Sequence, residues 1–385
     1  MKIKIFLVFL SFFLYSCSKN NNVVFTDESG AIVTYIDMDD IQDFDISELA
    51  DSVSFVKLET NNECLIANIR KVILYDNRFF IHESKTSTIL VFDISGKYLY
   101  KVGSRGRGPG EHAALSLFML DEENKMLMIY DENSKKMIYY TLDGKFVKEI
   151  PQFSEGALIR DIYNMPDGRF ICYTPDFMTN NPWWGLWEVD STGKPGKFLF
   201  KQTTKYPMSG IVESYFNRLP DGKVGLWCGD VDDIYHISDT AVYKYLTMKP
   251  SVKSIADYPD KIRNDVVVQN LKFISKINVC EKENLIITHW GSVRYGFDRL
   301  SIYFKKENKT IVTRRISSGI SGIDAIMARG IDYNIPNQML HAIYAVTVEK
   351  RLQDDNISDN RKKMLSSMFS TEEEDNPVLE IFYLK

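Results

Sequence analysis

The sequence predicts an all-β chain folded as a six-bladed β-propeller with four-stranded antiparallel blades, and three observations carry that expectation. Short strand patterns recur with a period near fifty residues, since Pro166 and Pro220 open matching Pro-Asp-Gly turns 54 residues apart. Most periods also carry a tight Gly-Lys hairpin turn, as at Gly96-Lys97, Gly144-Lys145 and Gly193-Lys194. The last period is one strand short, which calls for a strand from the other end of the chain. With 385 residues, 44% of them apolar and 13% aromatic, the chain is long enough to bury the core that such a ring needs.

The first sixteen residues stand apart. Lys2 and Lys4 precede the apolar run Ile5 to Leu14, which is too short to cross a bilayer core of about 30 Å as a helix and reads as a signal peptide. Leu14-Tyr15-Ser16-Cys17 resembles the bacterial lipobox, which implies loss of residues 1–16, lipidation of Cys17 and stable membrane attachment by more than one acyl chain. Serine rather than aspartate at position 18 points to the outer membrane. No acid follows in residues 18–22, so a periplasm-facing protein is expected over a surface-exposed one. The formal charge is −5, or −7 without the leader, and no nucleic-acid partner is expected from that balance.

Residues 17–50 read as a lipidated tether and lead-in segment: polar Asn20 to Asn22, a strand at Ile32 to Ile36, then the acidic stretch Asp37 to Asp51. The propeller is expected over 51–385. Ser52 to Glu59 alternates well enough to be a strand. Blade 1 follows as Ile69 to Leu74, Arg78 to His82, Ile89 to Asp93 and Lys97 to Val102, with Gly96 at a turn position that favours positive φ. Blade 2 repeats this over Leu115 to Ile150, blade 3 over Arg160 to Lys201, blade 4 over Tyr215 to Met248, and blade 5 over Phe273 to Ile316. Blade 6 has Gly322 to Ala328, Met339 to Val348 and Pro377 to Leu384, interrupted by residues 351–376, within which Ser358 to Phe369 reads as a short capped helix. Closing the ring removes its open edges, so Ser52 to Glu59 is expected to pair with Pro377 to Leu384.

Cys64, Cys172, Cys228 and Cys280 show no CxxC spacing and read as buried apolar cysteines, with one disulfide allowed in an oxidising compartment. The acidic turn Asp230 to Asp233 reads as solvated. The loop Gly103 to Gly110 invites a phosphate-cradle reading, but it lacks the Lys-Ser/Thr pair of a P-loop, Pro109 removes a donor, and Glu111 would repel an anion. A tight inter-blade crossing fits better, with Arg105 and Arg107 on the rim. Trp187 continues a strand and belongs to the core, whereas Trp183 and Trp184 are candidates for an exposed stacking platform. Polar residues on the innermost strands line a propeller's channel. By alignment on the turns these include Arg70, Lys71, Arg160, Asp161, Asn217, Lys276 and Asp324.

The segments SVSFVKLET, SRGRGPGEH and NPVLEIFYLK, together with the lipobox, resemble the six-bladed β-propeller lipoproteins abundant in Bacteroidetes, related in form to NHL-repeat and TolB-like propellers. The resemblance implies the fold and the envelope location and supplies no catalytic residue. The expected role is a binding or scaffold module for a glycan, a peptide or an envelope protein, attached to the membrane through Cys17. No cofactor and no metal is expected. The alternative is a lactonase-like hydrolase or lyase with a metal in the channel.

Overall fold

The computed structural model describes residues 24–26, 28–174, 185–201, 214–229, 231–238, 241–258, 273–292, 297–318, 337–353, 358–368 and 375–385. Cys17, Trp183, Trp184, Asp324 and the strand expected at 322–328 lie outside them.

The chain is an all-β, six-bladed propeller. Blades 1 to 5 are each built from four sequence-consecutive antiparallel strands that begin at Ile69–Tyr75, Leu117–Asp121, Asp161–Asn164, Phe216–Arg218 and Ser275–Glu281. The apolar residues of each period face the neighbouring blade. Trp187 and Trp227 are fully buried in this way, as are Trp290 and Tyr130. Cys64, Cys172, Cys228 and Cys280 are buried thiols that form no disulfide, each packed within a hydrophobic cluster, and burial pushes the Cys172 thiol well above its ordinary value.

In blade 6 the strand Gln338–Ile343 pairs with Val378–Leu384, which pairs with Ala50–Lys57 on its other side; Ser52 stands opposite Tyr383 and Lys57 opposite Val378. The closing strand thus begins and ends two residues before the span expected for it. It takes the place that the fourth strand takes in other blades. Just beyond blade 2's outer strand, the Ser154 N–H donates to the turn carbonyl of Gly193 in blade 3 at 2.7 Å. Just beyond Ala50–Lys57, the Glu59 N–H donates to the turn carbonyl of Gly96 in blade 1 at 2.8 Å. Asn376 staples the same seam: it is buried, its side-chain N–H groups reach the carbonyls of Glu59 and Cys64, and its oxygen accepts from the Ile66 N–H at 2.7 Å.

Two features depart from expectation. Ile32–Ile36 is a strand, but it lies parallel to Val242–Pro250 and extends blade 4 outward, with Val24–Thr26 paired beyond it. From there the lead-in runs along the rim. Gln42 N–H donates to the Val312 carbonyl of blade 5 at 2.8 Å, and Phe44–Asp45 pairs with Ile316–Ser317 before the chain reaches blade 6. Buried Ile36, Met38, Phe44 and Ile46 fasten it. The strand expected over Met339 to Val348 stops at Ile343 and gives way to helix α1 (Ala345–Leu352), which packs with helix α2 (Asp359–Met368) through Val348 and Leu365. Ala345, Val348 and Leu352 share one face at helical spacing, which is why the segment coils.

Candidate functional site

Contacts between the innermost strands fix their common direction. Asp161 and Ser214, at the starts of blades 3 and 4, touch one another, while Arg218 and Glu122, at the ends of the innermost strands of blades 4 and 2, form an ion pair. Between these levels lies a channel cavity of about 210 Å³. Its lining includes Lys71, Met119, Asp161, Tyr163, Phe216 and Arg218. By strand alternation, the starts of the innermost strands share a face with the connections that leave each blade. Connections of ten residues or more between described strands all depart from that face. Long loops on one face of a rigid scaffold are where binding residues concentrate.

Asp161 is 3% exposed. Its Oδ2 accepts from Ser214 Oγ at 2.8 Å, Tyr215 N at 2.6 Å and Phe216 N at 3.1 Å, and its Oδ1 accepts from Ile162 N at 2.9 Å. Burial pushes its carboxyl above the usual range, and the Lys71 charge and these hydrogen bonds offset this only in part. The carboxylate ties blade 3 to the crossing into blade 4.

Lys71 donates to the Phe118 carbonyl at 3.1 Å and lies 5.5 Å from that ring's centre. Opposite it in register stands His82, whose edge meets Phe118 with ring centres 6.1 Å apart. Burial, then the charges of Arg70 and Lys71, drive His82 down to about 3, so the imidazole is neutral. Glu122 and Arg218, each 39% exposed in its side chain, sit at the other end of the cavity.

The other expected site residues are placed differently. Asn217 is buried and does not line the cavity; its side-chain oxygen accepts from the Glu281 N–H at 3.1 Å and joins blade 4 to blade 5. Alternation along the strand explains this, because Phe216 and Arg218 face the channel and the residue between them cannot. Arg160 pairs through Nη1 with Glu132 Oε1 at 3.3 Å, away from the cavity lining. Arg105 and Arg107 are exposed on the glycine-rich crossing. That loop is closed by its own atoms, since Glu111 Oε2 accepts from the Gly108 N–H at 2.8 Å and the Gly106 N–H donates to the His112 carbonyl at 3.0 Å, and it is tied to blade 2 by Tyr140 OH, which donates to the Gly110 carbonyl at 2.7 Å. A Cβ on Gly106 would lie 2.0 Å from the Glu111 carboxylate, so the glycine there makes room for an acid.

The acidic turn is not solvated throughout. Asp232 accepts from Ser254 Oγ at 3.1 Å, and burial pushes it up to about 6 against the pull of Lys276. Asp233 accepts from Thr247 Oγ1 at 2.5 Å.

A second buried polar group escaped the sequence reading. Glu281, fully buried between blades 4 and 5, binds His236 Nε2 at 2.9 Å and Lys305 Nζ at 2.8 Å through Oε1. The His236 ring stacks on Tyr245 with centres 3.9 Å apart. Burial would raise Glu281, but its two cationic or donating partners hold it below the ordinary glutamate range. Gly225 permits the approach, since a Cβ there would lie 2.5 Å from Glu281 Oε2. Among the described residues, no three His, Cys, Asp or Glu side chains are grouped to hold a metal ion. Nor is any described helix long and apolar enough to cross a membrane.

A family profile described as a domain of unknown function, DUF4934, matches residues 31–383, which takes in all six blades and the rim strand at Ile32–Ile36. The chain belongs to the DUF4934 family. No curated protein matches its sequence. Among solved structures, this DUF4934 chain is similar to a protein of Bacteroides fragilis titled as exported, at 17% identity and a TM-score of 0.76, covering 92% of this chain and 99% of that one. It is also similar to a DUF4221-family member from Bacteroides vulgatus, at 10% identity and a TM-score of 0.50, covering 88% and 97%. At such identities the likeness concerns the fold.

Proposed function

We propose that this propeller is a cell-envelope binding module, held at the outer membrane through a lipidated Cys17 and facing the periplasm, with its ligand site in the channel cavity. The observation that carries the reading is the state of Asp161. Its two oxygens accept four hydrogen bonds from the protein itself, so the carboxylate at the cavity's inner end holds the site in shape while the Lys71 ammonium and the aromatic rings around it remain to meet a ligand. The lipobox-like sequence and the exported Bacteroides fragilis neighbour support the location. Trp183 and Trp184, which immediately precede the strand Gly185–Val189 in sequence, are proposed as further contacts to a glycan or peptide.

Two measurements test the reading. The mass of the mature N-terminal peptide should show acylated Cys17. Glycan and peptide arrays probed with the purified protein should give hits that Trp183→Ala or Phe216→Ala weakens. Stoichiometric calcium or zinc in the purified protein, with turnover of a lactone, would replace this reading with the enzymatic one.

A further inference from the structure

We infer that the channel cavity takes a small ligand bearing a carboxylate, seated on the Lys71 ammonium. The inference rests on the channel being the ligand site. A count of donors and acceptors at the cavity carries it. An ammonium has three donors and no acceptor. Among the described residues, Lys71 Nζ makes one hydrogen bond, to the Phe118 carbonyl. Three of the four carboxylates that line the cavity are already engaged: Asp161 by its four donors, Asp121 by the Asn124 N–H at 3.0 Å and side-chain amide at 2.8 Å, and Glu122 by Arg218. The fourth, Glu123, is exposed and adjoins Glu122 in the chain, at the end of the cavity away from Asp161. What the cavity offers is donors from a cation, and a ligand acceptor with negative charge answers them best.

The surroundings agree. Lys71 stands opposite His82 across the strand pair, and its charge, with that of Arg70, adds to burial in keeping the imidazole neutral. The cavity, at about 210 Å³, is smaller than the roughly 300–1,000 Å³ that drug-sized ligands occupy, so the ligand is of monosaccharide or amino-acid size. Ile73, Met119, Tyr163 and Phe216 give apolar and aromatic walls suited to a sugar-acid ring or a short side chain.

Calorimetry on the full lipidated chain in detergent tests this with four probes at millimolar concentration: sodium glucuronate, sodium N-acetylglutamate, glucose and glucosamine. One or both carboxylates should bind at least about tenfold more tightly than glucose and glucosamine, and the difference should shrink with added salt. The preferred carboxylate separates a sugar-acid source from an amino-acid source. Lys71→Met should remove the preference. Should that variant fail to fold, Lys71→Arg, which keeps the charge and changes its geometry, should retain preference for the anions while altering which one wins. Equal or tighter binding of glucose or glucosamine would overturn the inference and leave the channel site standing. Absence of binding by all four would overturn both.

Discussion

The Glu59 N–H donates to the Gly96 carbonyl, and this one bond between the end of the closing strand and the outer turn of blade 1 places two segments of the N-terminal half against each other at the seam of the ring. Gly96 has φ +89°, and a Cβ there would lie 2.1 Å from the Lys57 carbonyl oxygen. Gly222 offers the comparison, with φ +79° and nothing within 4 Å of the added carbon. Gly222→Ala should cost about 1–2 kcal/mol, the ordinary penalty of left-handed backbone for a residue with a Cβ. Gly96→Ala adds a backbone clash and should cost about 3 kcal/mol. Urea unfolding midpoints compare the two directly, and equal shifts would mean that the seam yields to the methyl group.

The buried group at the junction of blades 4 and 5 makes a different prediction. Glu281 has no exposure and Lys305 has a side chain 15% exposed, so removing one partner strands a charge in a region with little water. Lys305→Met should destabilise by roughly 3 kcal/mol, even though His236 remains on Glu281. Lys305→Met with Glu281→Met removes both charges and should cost clearly less than the two single changes added together. Additive costs in a double-mutant cycle would show that the two side chains do not depend on each other.

The ring was legible in the sequence because strand alternation and Gly-Lys turns are local signals that repeat. What the sequence could not place was the partner of a strand that stands outside the blade repeat. Ile32–Ile36 reads as extended, but its parallel pairing with Val242–Pro250 joins segments some two hundred residues apart and leaves no local mark. The strand expected over Met339 to Val348 overran into the helix because Val346, Thr347 and Val348 are β-branched residues that favour strand, while the spacing of Ala345, Val348 and Leu352 held the helical signal. In the site, Asp161 could be found by aligning turns, whereas Asn217 was one residue out of phase with the channel. Glu122 and Arg218 were passed over because each stands at the boundary of a strand and a turn, where a charged residue looks like ordinary surface.

The glycine-rich crossing predicts a separation between its acid and its arginines. Glu111 holds the loop through the Gly108 N–H, so Glu111→Ala should cost about 1 kcal/mol and speed hydrogen exchange at the Gly108 amide. Arg105 and Arg107 are exposed, and Arg105→Ala or Arg107→Ala should change stability by no more than about 0.5 kcal/mol. A large loss of stability in either arginine variant would mean that the loop depends on contacts beyond those that Glu111 makes.

His82 sets the response to acid. Its pKa falls from an unfolded value of 6.5 to about 3 in the fold, because burial and then the neighbouring Arg70 and Lys71 disfavour the imidazolium. The unfolded chain therefore binds a proton that the native state refuses. The stability this residue contributes is fully present above pH 6.5 and is lost progressively as pH falls toward 3, by roughly 3–5 kcal/mol in total. Asp232 acts in the opposite sense: its pKa is raised to about 6, so it favours the fold in acid and that contribution is lost as pH rises from 3.8 to about 6. The two slopes oppose each other between pH 4 and 6, so their combined contribution is shallower there than that of His82 alone. His82→Phe removes the arm that penalises acid, so the variant should gain stability relative to the native protein as pH drops from 6.5 to 4. Urea titrations across that range measure the difference, and parallel curves for the two proteins would show that His82 is protonated in the fold as readily as in the unfolded chain.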